Sequence, residues 1–185
     1  FICNSKEIME VKKTMYYPKE FVQYLVEFHG SRDYFECHEI LEEYWKTQLP
    51  LKRESVWVGF IQLAVGFYHY RRSNYSGAIR TLQKSKQILQ QHTAEIDQLG
   101  IEPQGLIILL TEAIHKCHNR EPYTSPSLPI HHPNLLMACQ SMCVDKNYSW
   151  NCKSNLEDSL LINRHSTRDR TDIIQERINQ LNKRK

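Results

Sequence analysis

The sequence predicts an all-α protein, a compact bundle of about five helices followed by an irregular proline-containing segment and a C-terminal helix. Three observations support this fold class. Apolar residues recur at helical spacing in successive segments of the chain. Capping residues and helix breakers separate those segments. The stretch from Val56 to Tyr70 is apolar on nearly every side, which is typical of a helix at the centre of a bundle.

The first two predicted helices follow each other closely. Helix one begins at Pro18, because proline suits the first turn of a helix. We expect Gly30 to end it, as glycine commonly ends helices. Ser31 or Asp33 then caps helix two with a side-chain oxygen, and helix two continues to about Gln48.

Three further helices complete the predicted bundle. Helix three covers about residues 55–72, helix four about 75–92, and helix five about 103–117. Gly59 and Gly66 lie seven residues apart on one side of helix three. Because glycine has no side chain, we expect a neighbouring helix to approach closely there.

The composition changes after the fifth helix. Residues 121–133 contain four prolines, which favours an irregular segment. Residues 135–143 fit either a short helix or a strand, and residues 147–155 are turn-like. A final helix over residues 171–182 carries apolar residues on one stripe, and it lies in a C-terminal segment that is basic as a whole.

These patterns predict three regions. Residues 1–14 are expected to lack fixed structure, residues 15–120 to form the helical bundle, and residues 121–185 to form an irregular extension that ends in the basic helix. No run of 18 apolar residues occurs, so we expect no membrane span. Residues 1–14 lack the apolar block of a signal peptide, and we expect a cytoplasmic protein.

The net charge is +3, and most of the excess lies near the C-terminus. Residues 160–185 contain seven basic residues against three acidic ones. The remaining chain is nearly neutral and shows no nucleic-acid-binding motif, so nucleic acid is not the expected ligand.

Helix two contains the most unusual stretch, because a histidine falls among its core residues. At about 100° per residue, His38 lies inside the apolar stripe and Glu42 lies at its border, whereas Glu36, Glu39 and Glu43 are expected to face solvent. The stripe comprises Tyr34, Cys37, Leu41, Tyr44 and Trp45. Buried polar groups cost free energy unless they find a partner. We therefore expect another side chain, a metal ion or a ligand to meet His38 and Glu42.

The same stretch resembles a known bacterial family. Residues 32–45 read RDYFECHEILEEYW, residues 59–65 read GFIQLAV, and residues 74–78 read NYSGA. The order and spacing of these three blocks resemble the "domain of unknown function 309" family over roughly residues 18–95. The resemblance implies a compact α-helical fold. It implies no activity and assigns no catalytic residue.

Two hypotheses for the cluster involve groups on helix three. In the first, His38, Glu42 and His69 bind a divalent metal ion, since inward-facing histidines and carboxylates hold metals in helical bundles. Such a site would belong to a metal-dependent enzyme, a hydrolase. In the second, His38 and Glu42 form a buried polar network that Gln62 or His69 completes, and this network fixes the register of the helices.

A third hypothesis is a ligand pocket. Tyr34, Trp45 and Gln62 would line it, and Glu42 beside apolar neighbours could act as a general acid or base. His38 would orient Glu42 or share its proton. Aromatic residues also dominate ordinary cores, so this pattern alone does not separate a pocket from a core.

A second group of metal-ligand types lies later in the chain. It comprises His115, Cys117, His118, His131, His132, Cys139, Cys143 and Cys152. These residues lack the paired spacing of structural zinc sites.

The function favoured by the sequence is a small cytoplasmic helical binding or interaction domain, with a protein partner or a second copy as its target. The alternative is the metal-dependent hydrolase.

Overall fold

Helices account for the regular structure of the part of the chain that is described. The computed structural model describes residues 17–167. Within that range the only β pairing is an isolated bridge between Ile101 and Ile130, so the all-α prediction is confirmed. The predicted N-terminal segment 1–14 and the predicted helix 171–182 lie outside the described residues.

The observed helices match the predicted ones closely through the bundle. They are α1 (Lys19–Val26), α2 (Tyr34–Thr47), α3 (Val56–Arg71), α4 (Tyr75–Gln90), α5 (Thr93–Gln98), α6 (Pro103–His118), α7 (Pro133–Asp145), α8 (Ser159–Ile162) and α9 (Arg164–Thr167). The short helices α5, α8 and α9 were not predicted. Residues 135–143, for which helix and strand were both open, form most of α7.

The junction between α1 and α2 differs from the prediction. Gly30 does not end the first helix, because α1 continues into a π-helical turn over Glu27–Ser31. Gly30 is buried in that turn, where an added Cβ would lie 3.0 Å from Tyr148 and 3.1 Å from the Cys143 sulfur. The helix ends instead at Arg32, which adopts a left-handed conformation with φ of 61°. Asp33 caps α2 by accepting a hydrogen bond from the Glu36 backbone N–H at 3.0 Å.

Helix α3 is the centre of the bundle. It packs against α2 on one side and α4 on the other, and α4 packs in turn against α6. An added Cβ at Gly66 would lie 2.4 Å from a Leu82 methyl carbon, and one at Gly59 would lie 2.5 Å from a Leu89 methyl carbon. The close neighbour expected at these glycines is therefore α4.

The chain after α6 lies against the first half of the bundle. Helix α7 packs on α1. The Pro122 carbonyl accepts a hydrogen bond from the Tyr70 hydroxyl at 3.1 Å, and the Pro126 carbonyl accepts one from Arg32 at 2.6 Å. This segment therefore contacts the C-terminal end of α3 and the residue at which the first helix ends.

Candidate functional site

The face of α2 that carries His38 is open to solvent. Tyr34, Cys37 and Leu41 are fully buried against α1 and α3. His38 follows Cys37 at the edge of that stripe, and its side chain is 29% exposed, while that of Glu42 is 34% exposed. The helical period places His38 on the same side of α2 as these buried residues. Within residues 17–167, His38 is therefore partly exposed at the edge of the buried stripe rather than enclosed within it.

The carboxylates of α2 converge on His38. Its Nδ1 lies 3.1 Å from Glu39 Oε1, and its Nε2 lies 3.6 Å from Glu42 Oε2. Lys46 reaches the other oxygen of Glu42 at 3.1 Å. Glu39 was expected to face solvent, but its side chain bends toward His38 and is only 24% exposed. We call His38, Glu39 and Glu42 the α2 cluster.

The α2 cluster has the residue types of a metal site. One ligand atom from each of its three residues lies within 4.8 Å of the others. Histidine and carboxylate ligands bind Zn²⁺ at about 2.1 Å, which requires ligand atoms within about 4.2 Å of one another. His69 is not part of this group. Its Nδ1 instead accepts a hydrogen bond from the Asn74 side-chain amide at 3.1 Å.

Two grooves meet at His38. The first, which we call the basic groove, has a volume of about 420 Å³. It is lined by Tyr34, Phe35, His38, Val65, Tyr68, His69, Arg72, Asn74 and His165. The second, the Trp45 groove, has a volume of about 310 Å³ and is lined by His38, Glu42, Trp45, Arg53, Val58, Ile61 and Gln62. The structure thus places both metal and ligand candidates along one surface of α2 and α3.

The three residues predicted to line a pocket occupy different positions. Trp45 and Gln62 both line the Trp45 groove, and the Trp45 indole N–H donates to the Lys52 carbonyl at 3.0 Å. Tyr34 lines the basic groove, but its ring is fully buried and its hydroxyl hydrogen-bonds to that of Tyr123. Trp45 and Gln62 are therefore the more accessible of the three to a ligand.

A larger polar cluster is buried inside the protein, and no sequence pattern predicted it. Glu27, His29, Arg32, Asp33 and Arg71 are each no more than 6% exposed. We call these five residues the buried cluster. Charged side chains are rarely buried to this extent unless they are paired or hydrogen-bonded. Their partners therefore decide what the cluster does.

Arg32 is held almost entirely by backbone oxygens. Its guanidinium donates to the carbonyls of Cys152 at 2.7 Å and Phe28 at 2.9 Å, in addition to that of Pro126. It also donates to the Asn151 side-chain oxygen at 3.0 Å. Three of these four partners lie more than 90 residues away along the chain. Arg32 thus fixes the late segment of the chain onto the bundle.

Arg71 has a similar role at the end of α3. It donates to the Arg32 carbonyl at 2.6 Å, the Ser154 hydroxyl at 2.9 Å and the Leu161 carbonyl at 3.2 Å. Its guanidinium carbon lies 4.7 Å from the centre of the Tyr34 ring, a cation–π distance. Both buried arginines therefore tie the bundle to residues after 120.

His29 is a neutral structural histidine. Its Nδ1–H donates to the Leu25 carbonyl at 2.9 Å, and its Nε2 accepts from the Leu128 backbone N–H at 3.0 Å. Burial lowers its pKa from 6.5 to about 3, and the nearby positive charge of Arg32 lowers it further, against an opposing contribution from the Leu25 hydrogen bond. His29 packs on Trp150 with ring centres 4.5 Å apart. It cannot be protonated near neutral pH without losing the Leu128 contact.

The acidic members of the buried cluster are also paired. Glu27 contacts the Lys146 ammonium and the Ser31 hydroxyl, and Arg164 reaches Asp33 at 2.7 Å. Burial raises the pKa of Asp33, although the hydrogen bond from the Glu36 backbone and the charge of Arg164 oppose this shift. These pairs supply countercharge beside the two arginines.

The late histidines and cysteines do not assemble into a zinc site. Within residues 17–167, the α2 cluster is the only group of three or more possible ligands that lie close together. The cysteines between Cys37 and Cys152 are free thiols. Burial raises the pKa of Cys117 to about 11 and that of Cys139 to about 12, with a smaller contribution from Cys143 to the latter. These buried thiols are poor metal ligands, because metal binding requires the thiolate.

Comparisons with known proteins agree with the sequence resemblance. Residues 21–81 match the family described as Domain of unknown function (DUF309). The chain is also 47% identical over 169 residues to the "Uncharacterized protein YpuF" of Bacillus subtilis (strain 168), an alignment that covers 91% of this chain and 97% of that protein. No solved structure matches. Among the described helices, none has the length and apolar character to cross a membrane.

Proposed function

This chain belongs to the Domain of unknown function (DUF309) family, and we propose that it is a binding domain whose binding surface is the face of α2 and α3 around His38. The proposal rests on one observation: two grooves, each with apolar residues in its lining, share the partly exposed His38. Ligand sites are typically concave and apolar, with a few polar groups that orient the ligand.

The two grooves have that composition. Val65 and Tyr68 contribute apolar surface to the basic groove, and Val58 and Ile61 do so in the Trp45 groove. His38 lines both. Charged and polar side chains lie beside this apolar surface in both grooves, and such groups orient a ligand in a binding site. With one exception, His165, the lining residues lie within the span that matches the family.

A reducing compartment is the proposed location. The cysteines in the described part of the chain are free thiols, and most of them are buried. Free thiols are typical of the cytoplasm, whereas exported proteins tend to form disulfides. We therefore propose that the domain acts in the cytoplasm.

The binding proposal is tested by filling the basic groove. Val65→Trp places a large ring in the groove, and Ile108→Trp places the same ring on α6 at a position that is 50% exposed and lines neither groove. The probe is N-phenyl-1-naphthylamine, a neutral apolar dye. We expect Val65→Trp to weaken its binding at least tenfold, and Ile108→Trp to leave it unchanged. Equal binding by both variants would overturn the proposal.

A metal-dependent hydrolase is the second candidate, and the α2 cluster favours it. His38, Glu39 and Glu42 present one nitrogen and two carboxylate oxygens within 4.8 Å, a ligand set that suits Zn²⁺, Mn²⁺ or Fe²⁺. In this ligand set, Glu39 is the third ligand in place of His69, the residue that the sequence suggested. Lys46 competes for Glu42, so a metal would have to displace an existing ion pair.

Calorimetric titration with Zn²⁺ and Mn²⁺ tests this candidate. The metal hypothesis predicts stoichiometric binding that His38→Ala abolishes. The matched control is His118→Ala, which removes an exposed histidine at the end of α6. Binding that survives His38→Ala, or no binding at all, would remove the hydrolase from consideration and leave the binding domain.

A further inference from the structure

We propose that the ligand of the basic groove is a small organic anion, with an apolar body against Phe35, Val65 and Tyr68 and an acidic head group at Arg72. This inference rests on the binding role proposed above and specifies its ligand class. It follows from three features of the described residues: their apolar surface, the absence of acidic groups among those that line the groove, and hydrogen-bond donors that lack acceptors among them.

The described lining of the basic groove contains basic residues and no acidic ones. The described residues that line the basic groove include Arg72 and three histidines but no aspartate or glutamate. The nearest members of the α2 cluster, Glu39 and Glu42, are engaged by the ring nitrogens of His38 and by Lys46. An unneutralised guanidinium beside apolar surface favours an anionic partner, because low polarity strengthens the attraction.

Arg72 has no carboxylate partner among the described residues. Its guanidinium carbon lies 5.3 Å from the centre of the Tyr68 ring, and its Nη1 donates to His165 Nε2 at 3.4 Å. The preceding residue, Arg71, uses both of its Nη groups on oxygens inside the protein. Arg72 instead keeps donors for a ligand, and guanidinium donors match the geometry of carboxylate and phosphate oxygens.

The hydrogen bonds around Arg72 define the other donors. Because arginine only donates, His165 Nε2 must accept from it, and in the neutral imidazole His165 Nδ1 then carries the proton toward the Tyr68 oxygen. The His165 backbone N–H also donates to that oxygen, at 3.3 Å. Tyr68 therefore accepts twice, and its own proton has no acceptor among the described residues.

His69 supplies one more donor. Its Nδ1 accepts from the Asn74 amide at 3.1 Å, so in the neutral ring the proton is on Nε2. Burial lowers the pKa of His69, and the charges of Arg72 and Arg80 lower it further, which is the effect expected of a positive local field. Arg72, Tyr68 and His69 thus present donors to one groove, whose described lining contains no carboxylate.

The volume favours a small molecule over a folded partner. Small-molecule sites typically enclose about 300–1,000 Å³, and the basic groove has about 420 Å³. That space fits an aromatic or short aliphatic body with one acidic group. A carboxylate, sulfonate or phosphate head meets the same three donors, so the chemistry shared by these groups is what the site recognises.

The experiment compares two dyes that differ in one group. The anion 8-anilino-1-naphthalenesulfonate is N-phenyl-1-naphthylamine with a sulfonate added. Fluorescence titrations of both dyes are made with the full chain, Arg72→Gln and Arg80→Gln. Arg80 is exposed on α4 and does not line the groove, so it controls for loss of charge alone. Near-UV circular dichroism confirms that each variant is folded.

We expect the full chain to bind the sulfonate at least tenfold more tightly than the neutral dye. Arg72→Gln should abolish this preference, and Arg80→Gln should keep most of it. If the neutral dye binds equally well, or if Arg72→Gln keeps the preference, the anion inference is overturned and the binding groove stands. If neither dye binds, or if Val65→Trp binds both as the full chain does, the groove itself is overturned.

Discussion

The two polar clusters of this protein use the same residue types in opposite surroundings. The buried cluster contains a histidine, two carboxylates and two arginines, all at most 6% exposed. The α2 cluster contains a histidine and two carboxylates, all between 24% and 34% exposed. The buried cluster is bonded to the late chain segment, for example to Cys152 and Lys146, whereas His38 and Glu42 pair along their own helix and line the two grooves.

That difference separates a structural role from a binding role. Removing one member of a buried hydrogen-bonded charge network leaves its partners unsatisfied, which costs several kcal/mol. Exposed ion pairs contribute about 0–1 kcal/mol, because water can replace either partner. We therefore expect the buried cluster to determine stability and the surface around His38 to determine binding.

The largest effect is expected at Arg32. Arg32→Met should lower the free energy of unfolding by about 3–5 kcal/mol, since it removes hydrogen bonds to the buried carbonyls of Phe28, Pro126 and Cys152. Urea unfolding measures the change. Arg53→Met, at an exposed arginine of the Trp45 groove, should change it by less than about 0.5 kcal/mol. A loss below 1 kcal/mol in Arg32→Met would show that the late segment is not held by this residue.

The pH dependence of stability should report on His29. Its pKa is about 3 in the folded protein and 6.5 as an unperturbed group, so between these values the unfolded chain binds one more proton. The free energy of unfolding therefore falls as pH falls, by about 1.4 kcal/mol per pH unit from this group alone.

The measurement is a series of urea titrations between pH 7 and about pH 4. His29→Gln should show a shallower loss of stability toward acid than the full chain, by about one proton. An identical slope in both proteins would mean that His29 is already protonated in the folded state, and the neutral assignment would be wrong.

One substitution made in both clusters compares them directly. Glu27→Gln should cost about 1–3 kcal/mol, because Glu27 is 4% exposed and holds Lys146 and Ser31. Glu39→Gln should cost less than about 0.5 kcal/mol, since its contact with His38 is partly solvated. Thermal unfolding of the two variants gives the comparison. Equal losses of stability in the two variants would mean that the clusters do not differ in their contribution to stability.

The smallest effect on stability is expected at Glu42. A sealed polar network would lose about 1–3 kcal/mol in Glu42→Gln. Because the Glu42 side chain is 34% exposed and already shared with Lys46, we expect a change below about 0.5 kcal/mol. Urea unfolding distinguishes these two values. A loss above 1 kcal/mol would support the hypothesis that His38 and Glu42 form a buried polar network.

Local sequence signals accounted for most of the bundle. The apolar length predicted α3, and the glycines at 59 and 66 predicted its close neighbour. The cap of α2 was narrowed to Ser31 or Asp33, and the structure shows Asp33. Each of these signals acts within one helix or at one helix contact. The end of α1 could not be read in this way. Gly30 is required by the close packing of Tyr148 and Cys143, which lie far away in sequence.

The candidate site was predicted in composition but not in environment. Helical periodicity placed His38 inside the apolar stripe, yet it carries no information on how far another element covers that part of the helix. The buried cluster was missed because Arg32 and Arg71 are satisfied by residues such as Pro126 and Cys152. One signal was present: Arg71 follows an apolar run at the end of a helix that is buried on nearly every side, where a charge requires a partner.

Two adjacent arginines at the end of α3 offer the most direct test of the division between structure and binding. Arg71 is buried and bonded to the late segment, and Arg72 lines the basic groove. The measurement is the free energy of unfolding and the affinity for 8-anilino-1-naphthalenesulfonate in Arg71→Gln and Arg72→Gln. We predict that Arg71→Gln loses about 3 kcal/mol of stability, and that Arg72→Gln keeps its stability within about 0.5 kcal/mol but binds the dye about tenfold more weakly. A stable Arg71→Gln protein together with unchanged dye binding in Arg72→Gln would contradict the account.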